Sequence, residues 1–108
     1  MAHQTVKKEI IIRNKQGLHA RPAAVFVQIA NKFDSDITVR KEDEEVNGKS
    51  IMGILMLAAE QGASVCIKAT GSDAEEAVAE LESILTAQDE EFFAAGEKKD
   101  DKPERRKR

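Results

Sequence analysis

The sequence predicts an α+β fold in which helices cover one face of an antiparallel sheet. Four segments show the apolar alternation of strands that bury one face, and three show the apolar period of amphipathic helices. Their order along the chain is β-α-β-β-α-β-α, and 108 residues suffice for one such domain but not for two ordinary ones. Packing the helices on the apolar side of the sheet gives an α+β sandwich.

The first strand and the first helix flank a short turn. Residues 5–12 carry four aliphatic side chains and predict a strand with imperfect alternation, which a turn at residues 14–17 follows. A helix is expected to begin near Ala20, because Pro22 needs no N–H donor in a first helical turn. Apolar side chains then recur at helical spacing at Ala23, Phe26, Val27, Ala30 and Phe33.

A hairpin and a short helix form the middle of the chain. Residues 36–40 alternate as a second strand, and a charged turn at residues 41–44 leads to a brief third strand around residues 45–46. Ser50 then precedes an apolar run. This pattern predicts a short helix with Ser50 as its N-cap, which Gly53 weakens.

The last strand and helix complete the domain. Gly62 ends the apolar run, and Val65, Ile67 and Ala69 alternate with polar neighbours as a fourth strand. Ser72 or Asp73, with Glu75 or Glu76, predicts a capping box at the start of the final helix. The apolar face of that helix comprises Ala74, Ala77, Val78, Leu81, Ile84 and Leu85.

Composition and charge exclude several classes of protein. No apolar run approaches the ~20 residues of a spanning helix, and the N-terminus lacks a signal-peptide pattern, so we expect a cytoplasmic protein without membrane contact. Cys66 falls within the fourth strand, which favours a small, buried or half-buried side chain over a redox or catalytic role. Residues 97–108 carry seven basic and four acidic side chains, whereas the other 96 residues have a net charge of −6. An acidic body disfavours nucleic acid.

We expect the domain to occupy residues 1–90, followed by a charged extension, residues 91–108, that should be disordered.

Residues 17–23 place a histidine and an arginine at the expected start of the first helix. N–H groups in a first turn have no intrahelical acceptor, and the peptide dipoles put about half a positive charge there. If His19 is the N-cap, the N–H groups of Ala20 and Arg21 point toward whatever the imidazole carries. Free histidine titrates near pH 6.5, so its ring is largely a neutral nucleophile at physiological pH. The pattern predicts a phosphoryl acceptor, although His19 as a plain cap and Arg21 as a solvated side chain remain open.

Two blocks resemble the HPr family, the small histidine phosphocarriers of the bacterial phosphoenolpyruvate:sugar phosphotransferase system. Residues 17–23 (GLHARPA) are similar to the active-site signature of that family, and residues 47–55 (NGKSIMGIL) are similar to its regulatory-serine segment. The likeness runs from about residue 6 to about residue 85. It implies an open-faced sandwich, with three helices on one face of a sheet of strand order 1-4-2-3.

The resemblance also implies a function for His19. Its Nδ1 would accept a phosphoryl group from phosphorylated enzyme I and pass it to enzyme IIA domains of sugar permeases, which makes the chain a carrier rather than a stand-alone enzyme. Ala20, Arg21 and Gln16 would bind the phosphate. Relatives more often have a short Asn, Ser or Thr in place of Gln16, and a longer side chain is less suited to supporting the phosphohistidine. No cofactor and no metal is expected, since no ligand cluster surrounds His19.

Ser50 and the residues after it carry the implied regulation. By resemblance Ser50 is a target of HPr kinase/phosphorylase; its role as an N-cap is an adequate structural explanation by itself and does not exclude regulation. Phosphorylation there would change the choice of partner, a transcriptional regulator among them. Ile51, Met52 and Leu55 are expected to form a docking surface for enzyme I and other partners, on a chain that is expected to be a monomer.

Three other functions remain open at this stage. One is a regulatory or adaptor protein of the same fold, which Ser50 and the Ile51, Met52 and Leu55 surface favour and in which histidine transfer is incidental. Another is a nitrogen-related branch of the same carriers, which shares the histidine block. A nucleic-acid module, suggested by the basic segment at residues 97–108, is poorly supported because the strands lack aromatic residues that stack on bases. No role is expected for His3.

Overall fold

A computed structural model describes residues 4–15, 17–18 and 20–87, which form a four-stranded antiparallel sheet and three helices. In chain order the elements are β1 (Gln4–Ile11), α1 (Ala20–Ala30), β2 (Asp36–Lys41), β3 (Glu44–Asn47), α2 (Ile51–Leu57), β4 (Ser64–Gly71) and α3 (Ala74–Thr86). The α+β class and each expected element are confirmed. The expected extension at residues 91–108, and His3, lie outside the described residues.

The sheet has the strand order β1-β4-β2-β3, as the resemblance implied. β4 is central and pairs antiparallel with β1, where Ile10 lies opposite Val65, and with β2, where Val39 lies opposite Ile67. β3 extends the sheet beyond β2. Because side chains alternate along a strand, these aliphatic residues share the face that α3 and the other helices cover.

The core between sheet and helices is aliphatic, with two buried phenylalanines, Phe26 and Phe33. All six residues of the apolar face expected for α3 are buried. Cys66 is half-buried, as expected for its place in β4. None of the helices in the described ranges is both long enough and apolar enough to cross a membrane.

The structure corrects the end of the first strand, which was expected to run through residue 12. β1 ends at Ile11, whose side chain is 53% exposed, whereas Ile12 is buried. The N–H of Ile12 bonds to the carbonyl of Ala63 at 3.0 Å, in the connection before β4. The alternation of the exposed Ile11 with the buried Ile10 and Ile12 therefore continues one residue past the end of the strand.

The capping box expected for α3 is wrong. Asp73 is the N-cap residue, but its side chain makes no capping hydrogen bond. The carboxylate instead accepts from the N–H of Asp34 at 2.9 Å, the N–H of Ser35 at 3.0 Å and the hydroxyl of Ser35. These bonds, that of the Ser35 hydroxyl first, lower the pKa of Asp73. Asp73 thus ties the turn between α1 and β2 to the start of α3.

Candidate functional site

The candidate site is the loop between β1 and α1 together with the first turn of α1. In the sequence His19 directly precedes Ala20, the first residue of α1. His19, Gln16 and the side chain of Ala20 lie outside the described residues, so the roles expected for them stay predictions. Arg21 is exposed at the second position of α1.

The end of α3 holds one side of this loop. The N–H of Arg13 donates to the carbonyl of Leu85 at 2.8 Å, and Nδ2 of Asn14 donates to the carbonyl of Ile84, also at 2.8 Å. Carbonyl groups in a last helical turn have no intrahelical donor. The loop therefore satisfies the end of α3, and α3 in turn fixes the loop.

The connection between α2 and β4 holds the other side. The N–H of Leu18 donates to the carbonyl of Ala59 at 2.8 Å, and Nε2 of Gln61 donates to the carbonyl of Arg13 at 3.1 Å. Gly17 lies against the same connection with φ of +60°, and a Cβ there would stand 2.5 Å from the Ala59 carbonyl oxygen. Only glycine fits both that backbone conformation and that approach.

The start of α1 is anchored in the core. Pro22 is buried, and Ala23 and Phe26 are fully buried. This packing fixes the direction of the helix axis, and with it the partial positive charge at the N-terminal end of α1. The exposed Arg21 adds one full positive charge beside that end. The two together create a site at the protein surface that favours an anion.

Ser50 caps α2 as expected. Its Oγ accepts a hydrogen bond from the N–H of Gly53 at 3.1 Å. Lys49, the residue before it, donates from Nζ to the carbonyl of Phe33 at 2.7 Å, and Nδ2 of Asn31 donates to the carbonyl of Lys49 at 3.2 Å. The start of α2 is thus attached to the end of α1, about 16 Å along that helix from its start.

The outer side of α2 is apolar. Four side chains, which we call the α2 apolar surface, are 39% to 67% exposed: Ile51, Met52, Leu55 and Met56. Ile54 and Leu57 face the core and are buried. The first three are the residues that the sequence predicted as a docking surface; they are exposed, and docking itself stays a prediction. Met56 was not expected there, although its spacing of four residues from Met52 places the two on one helix face.

No group of three or more His, Cys, Asp or Glu side chains in the described ranges is arranged to hold a metal ion.

The sheet has the strand order β1-β4-β2-β3, and the sequence places a histidine directly before the polarised start of α1. These two features together are typical of the class of HPr-like phosphocarriers. Residues 6–87 match the family model described as the PTS HPr component phosphorylation site. This chain therefore belongs to the HPr family.

Relatives within the family include both carriers and HPr-like proteins. Phosphocarrier protein HPr of Neisseria meningitidis serogroup A is 42% identical over 92 residues, which cover 85% of this chain and 99% of that protein. The HPr-like protein Crh of Bacillus subtilis is 47% identical over 80 residues, which cover 74% of this chain and 94% of that one. The crystal structure of HPr from Bacillus anthracis superposes with a TM-score of 0.74 at 48% identity, covering 75% of this chain and 96% of that chain.

Proposed function

We propose that this chain is a cytoplasmic phosphocarrier of the phosphotransferase system, which accepts a phosphoryl group on His19 and gives it to sugar-specific enzyme IIA domains. One observation carries the proposal: the GLHARPA segment enters α1 at its polarised end, within the region that matches the HPr phosphorylation-site model. The donor is phosphorylated enzyme I. The chain is itself a carrier and not a stand-alone catalyst.

The chemistry needs little besides position and positive charge. The lone pair of neutral Nδ1 attacks the phosphorus of the donor, so that a P–N bond forms while the bond between phosphorus and the donor breaks. Arg21, the N–H groups at the start of α1 and the Gln16 side chain bind the phosphoryl oxygens. A site at the surface suits a relay, because the acceptor must reach the same phosphorus from outside and reverse the step.

Ser50 is the regulatory position in this account. A phosphate on its Oγ adds close to two negative charges at the start of α2, beside the α2 apolar surface. Since Ser50 lies near the far end of α1 from His19, we expect this charge to act mainly on the docking of partners. Enzyme I, enzyme IIA domains, a kinase/phosphorylase and a transcriptional regulator dock on the α2 apolar surface.

Phosphorylation in vitro tests the function. Incubation with phosphoenolpyruvate and enzyme I is expected to produce an acid-labile, base-stable phosphate on the wild-type chain. The label should be absent from His19→Ala and present in the control His3→Ala, since these are the two histidines of the chain. An unlabelled wild-type chain, or equal labelling of His19→Ala, would reject the proposal.

A second candidate is a regulatory or adaptor protein in which transfer through His19 is incidental. The similarity to Crh and the capped Ser50 beside an exposed apolar surface support it. Complementation separates the two: a His19→Ala chain that still restores the phenotype of a deletion strain favours the adaptor. Labelling by a nitrogen-branch enzyme I in preference to the carbohydrate one would assign the chain to the nitrogen-related carriers.

A further inference from the structure

The open face of the sheet, on the side away from the helices, carries a cluster of positive charges. Alternate residues of β4 are buried under the helices, so Cys66 and Lys68 lie on the opposite face. Lys7 of β1 lies directly opposite Lys68 in the antiparallel register. On the other side of β4, Arg40 of β2 lies opposite Cys66. Three cationic side chains on three neighbouring strands therefore surround one thiol.

These side chains line a cavity on the open face. Its volume is about 250 Å³, and it is lined by Lys7, Arg40, Glu45, Cys66 and Lys68. Three positive charges stand there against the single negative charge of Glu45, which gives the lining a net charge of +2. Sites for drug-sized ligands measure ~300–1,000 Å³, so this cavity suits a smaller molecule that carries negative charge.

The rest of the described chain does not compensate the cations of this cavity. The side chains of Lys7, Arg40 and Lys68 form no hydrogen bond or ion pair with any other described residue. Lys8 differs, because it lies on the helix side of β1 and donates to Glu82 of α3 at 2.9 Å. Like charges on directly opposed residues destabilise a sheet. An anion bound between Lys7 and Lys68 would relieve that repulsion.

Carboxylates at the borders of the cluster limit the size of such an anion. Across the sheet from β1 to β3, the register forms one row of Glu9, Cys66, Arg40 and Glu45. A carboxylate therefore stands at each end of this row, and that of Glu9 accepts from Ser64 Oγ at 3.1 Å. A long polyanion would lie across these negative charges and be repelled. A compact anion fits between them.

We propose that this cavity binds a small, soluble phosphate monoester, at a site separate from the one at His19. A phosphate monoester carries a charge of about −1.5 to −2 at pH 7 and three strong acceptor oxygens, which match the net charge and the three cations of the lining. The planar guanidinium of Arg40 is suited to two of the oxygens, and the ammonium groups of Lys7 and Lys68 to the third. The organic part of the ester occupies the rest of the cavity, beside Cys66.

An NMR titration of the full chain locates the site. The probe is glycerol 3-phosphate, with glycerol as the control for its organic part and sodium chloride at matched ionic strength as the control for screening. We expect the amide signals of Lys7, Cys66 and Lys68 to shift and saturate with the phosphate ester alone. Equal shifts with sodium chloride would overturn the proposal. Shifts confined to the start of α1, the other place that favours an anion, would overturn it as well.

Single substitutions separate the two anion sites. Lys7→Gln and Lys68→Gln each remove a charge-assisted hydrogen bond and should raise the dissociation constant at the sheet face roughly tenfold or more. Lys8→Gln is the matched control, because it removes a lysine of the same strand from the other face. Lys8→Gln and Arg21→Gln, which lowers the charge at the start of α1, should leave this dissociation constant within about twofold. The reverse pattern among these variants would contradict the site.

Thermal unfolding gives a second measurement of the same site. Without ligand, Lys68→Gln should unfold at a temperature at least as high as the wild type, because it relieves the repulsion between Lys7 and Lys68. Glycerol 3-phosphate should raise the midpoint of the wild type, since a ligand that binds only the folded state stabilises it, and should raise that of Lys68→Gln less. An equal rise in both chains, or none in the wild type, would overturn the proposal.

Two further arms test the class of ligand. Vesicles of phosphatidylcholine with phosphatidic acid present the same phosphate monoester as a lipid headgroup, and we expect the chain to stay in the supernatant when they are sedimented. Co-sedimentation that Lys68→Gln abolishes would overturn the assignment to a soluble ester. Tighter binding of a DNA oligonucleotide than of glycerol 3-phosphate would overturn the assignment to a small anion. An unlabelled wild-type chain in the enzyme I assay refutes the proposed function and leaves this site unaffected.

Discussion

At Gly17 the backbone and its surroundings both require glycine. The φ angle is +60°, and a Cβ would stand 2.5 Å from the Ala59 carbonyl oxygen and 2.8 Å from the Cα of Glu60. We expect Gly17→Ala to lose about 1–2 kcal/mol of unfolding free energy from the backbone conformation, and more from the clash. Denaturant unfolding measures the loss.

Gly62→Ala is the matched control for this substitution. Gly62 also has a positive φ, +91°, but nothing lies within 4 Å of a Cβ placed there. It therefore carries a backbone cost without a collision. If Gly17→Ala were as stable as Gly62→Ala, this would contradict the close approach of the loop between β1 and α1 to the connection between α2 and β4.

Ser50 has a structural role that can be measured apart from any regulation. Ser50→Ala leaves the Gly53 N–H without its acceptor and should cost about 1 kcal/mol of unfolding free energy. Ser50→Asp keeps an acceptor at the N-cap and should stay close to the wild type in stability. A Ser50→Asp chain that docks enzyme I as tightly as the wild type would count against the regulatory role, because the added charge lies beside the α2 apolar surface.

Among the elements, the start of α3 makes stability depend on pH through Asp73. Hydrogen bonds from Ser35 and Asp34 hold the pKa of Asp73 below its ordinary value of 3.8. The folded state therefore binds this proton less readily than the unfolded state. The contribution of the Asp73 carboxylate to the free energy of unfolding is fully present above the unfolded-state pKa, and it is lost as the pH falls through the lower folded-state pKa.

The comparison of wild type with Asp73→Asn tests this link. Denaturant midpoints should differ most near pH 7, and the difference should narrow as the pH falls below about 4. Glu75→Gln removes one negative charge from the same first turn but leaves the bonds between Asp73 and Ser35 intact. The difference in midpoint between wild type and Glu75→Gln should therefore not narrow in the same way at low pH. A difference in denaturant midpoint between wild type and Asp73→Asn that stays constant down to pH 2 would contradict the role of the hydrogen bonds from Asp34 and Ser35 to Asp73.

The elements themselves were predictable where apolar periodicity is strong. The buried face of α3 and the alternation of β4 were both correct, because burial of one face leaves a direct pattern in the sequence. Asp73 was assigned to the wrong bond because a capping box is a local pattern, whereas the donors from Asp34 and Ser35 come from a distant turn. Asn14 was taken for an ordinary turn residue, since nothing local shows that the end of α3 buries it.

At the scale of the whole molecule, the strand order came from the resemblance and not from the pattern of the residues. Pairing of β1 with β4 joins residues more than fifty positions apart, and alternation says which side of a strand is buried but not which strand lies beside it. The site depends on this order, because pairing of β1 with β4 and packing of α3 on both strands bring the end of α3 to the loop before His19. Sequence motifs located the histidine, while only the fold shows what holds its loop.

The domain boundary predicts that residues 91–108 are dispensable for folding. Deletion of this segment removes seven basic and five acidic residues and should leave the unfolding free energy within ~0.5 kcal/mol of the full chain. We expect the chain to be a monomer both with and without residues 91–108, which sedimentation experiments measure. A large loss of unfolding free energy on deletion would show that the folded domain extends beyond residue 90.

The central claim is that an imidazole at the start of α1 accepts a phosphoryl group and releases it again. Nitrogen-15 NMR of the histidine rings, recorded before and after phosphorylation by enzyme I, tests this most directly. We predict that the Nδ1 resonance of His19 takes on the signature of a phosphorylated nitrogen, and that addition of an enzyme IIA domain restores the original spectrum. An unchanged His19 ring while phosphate appears on another residue would contradict the account.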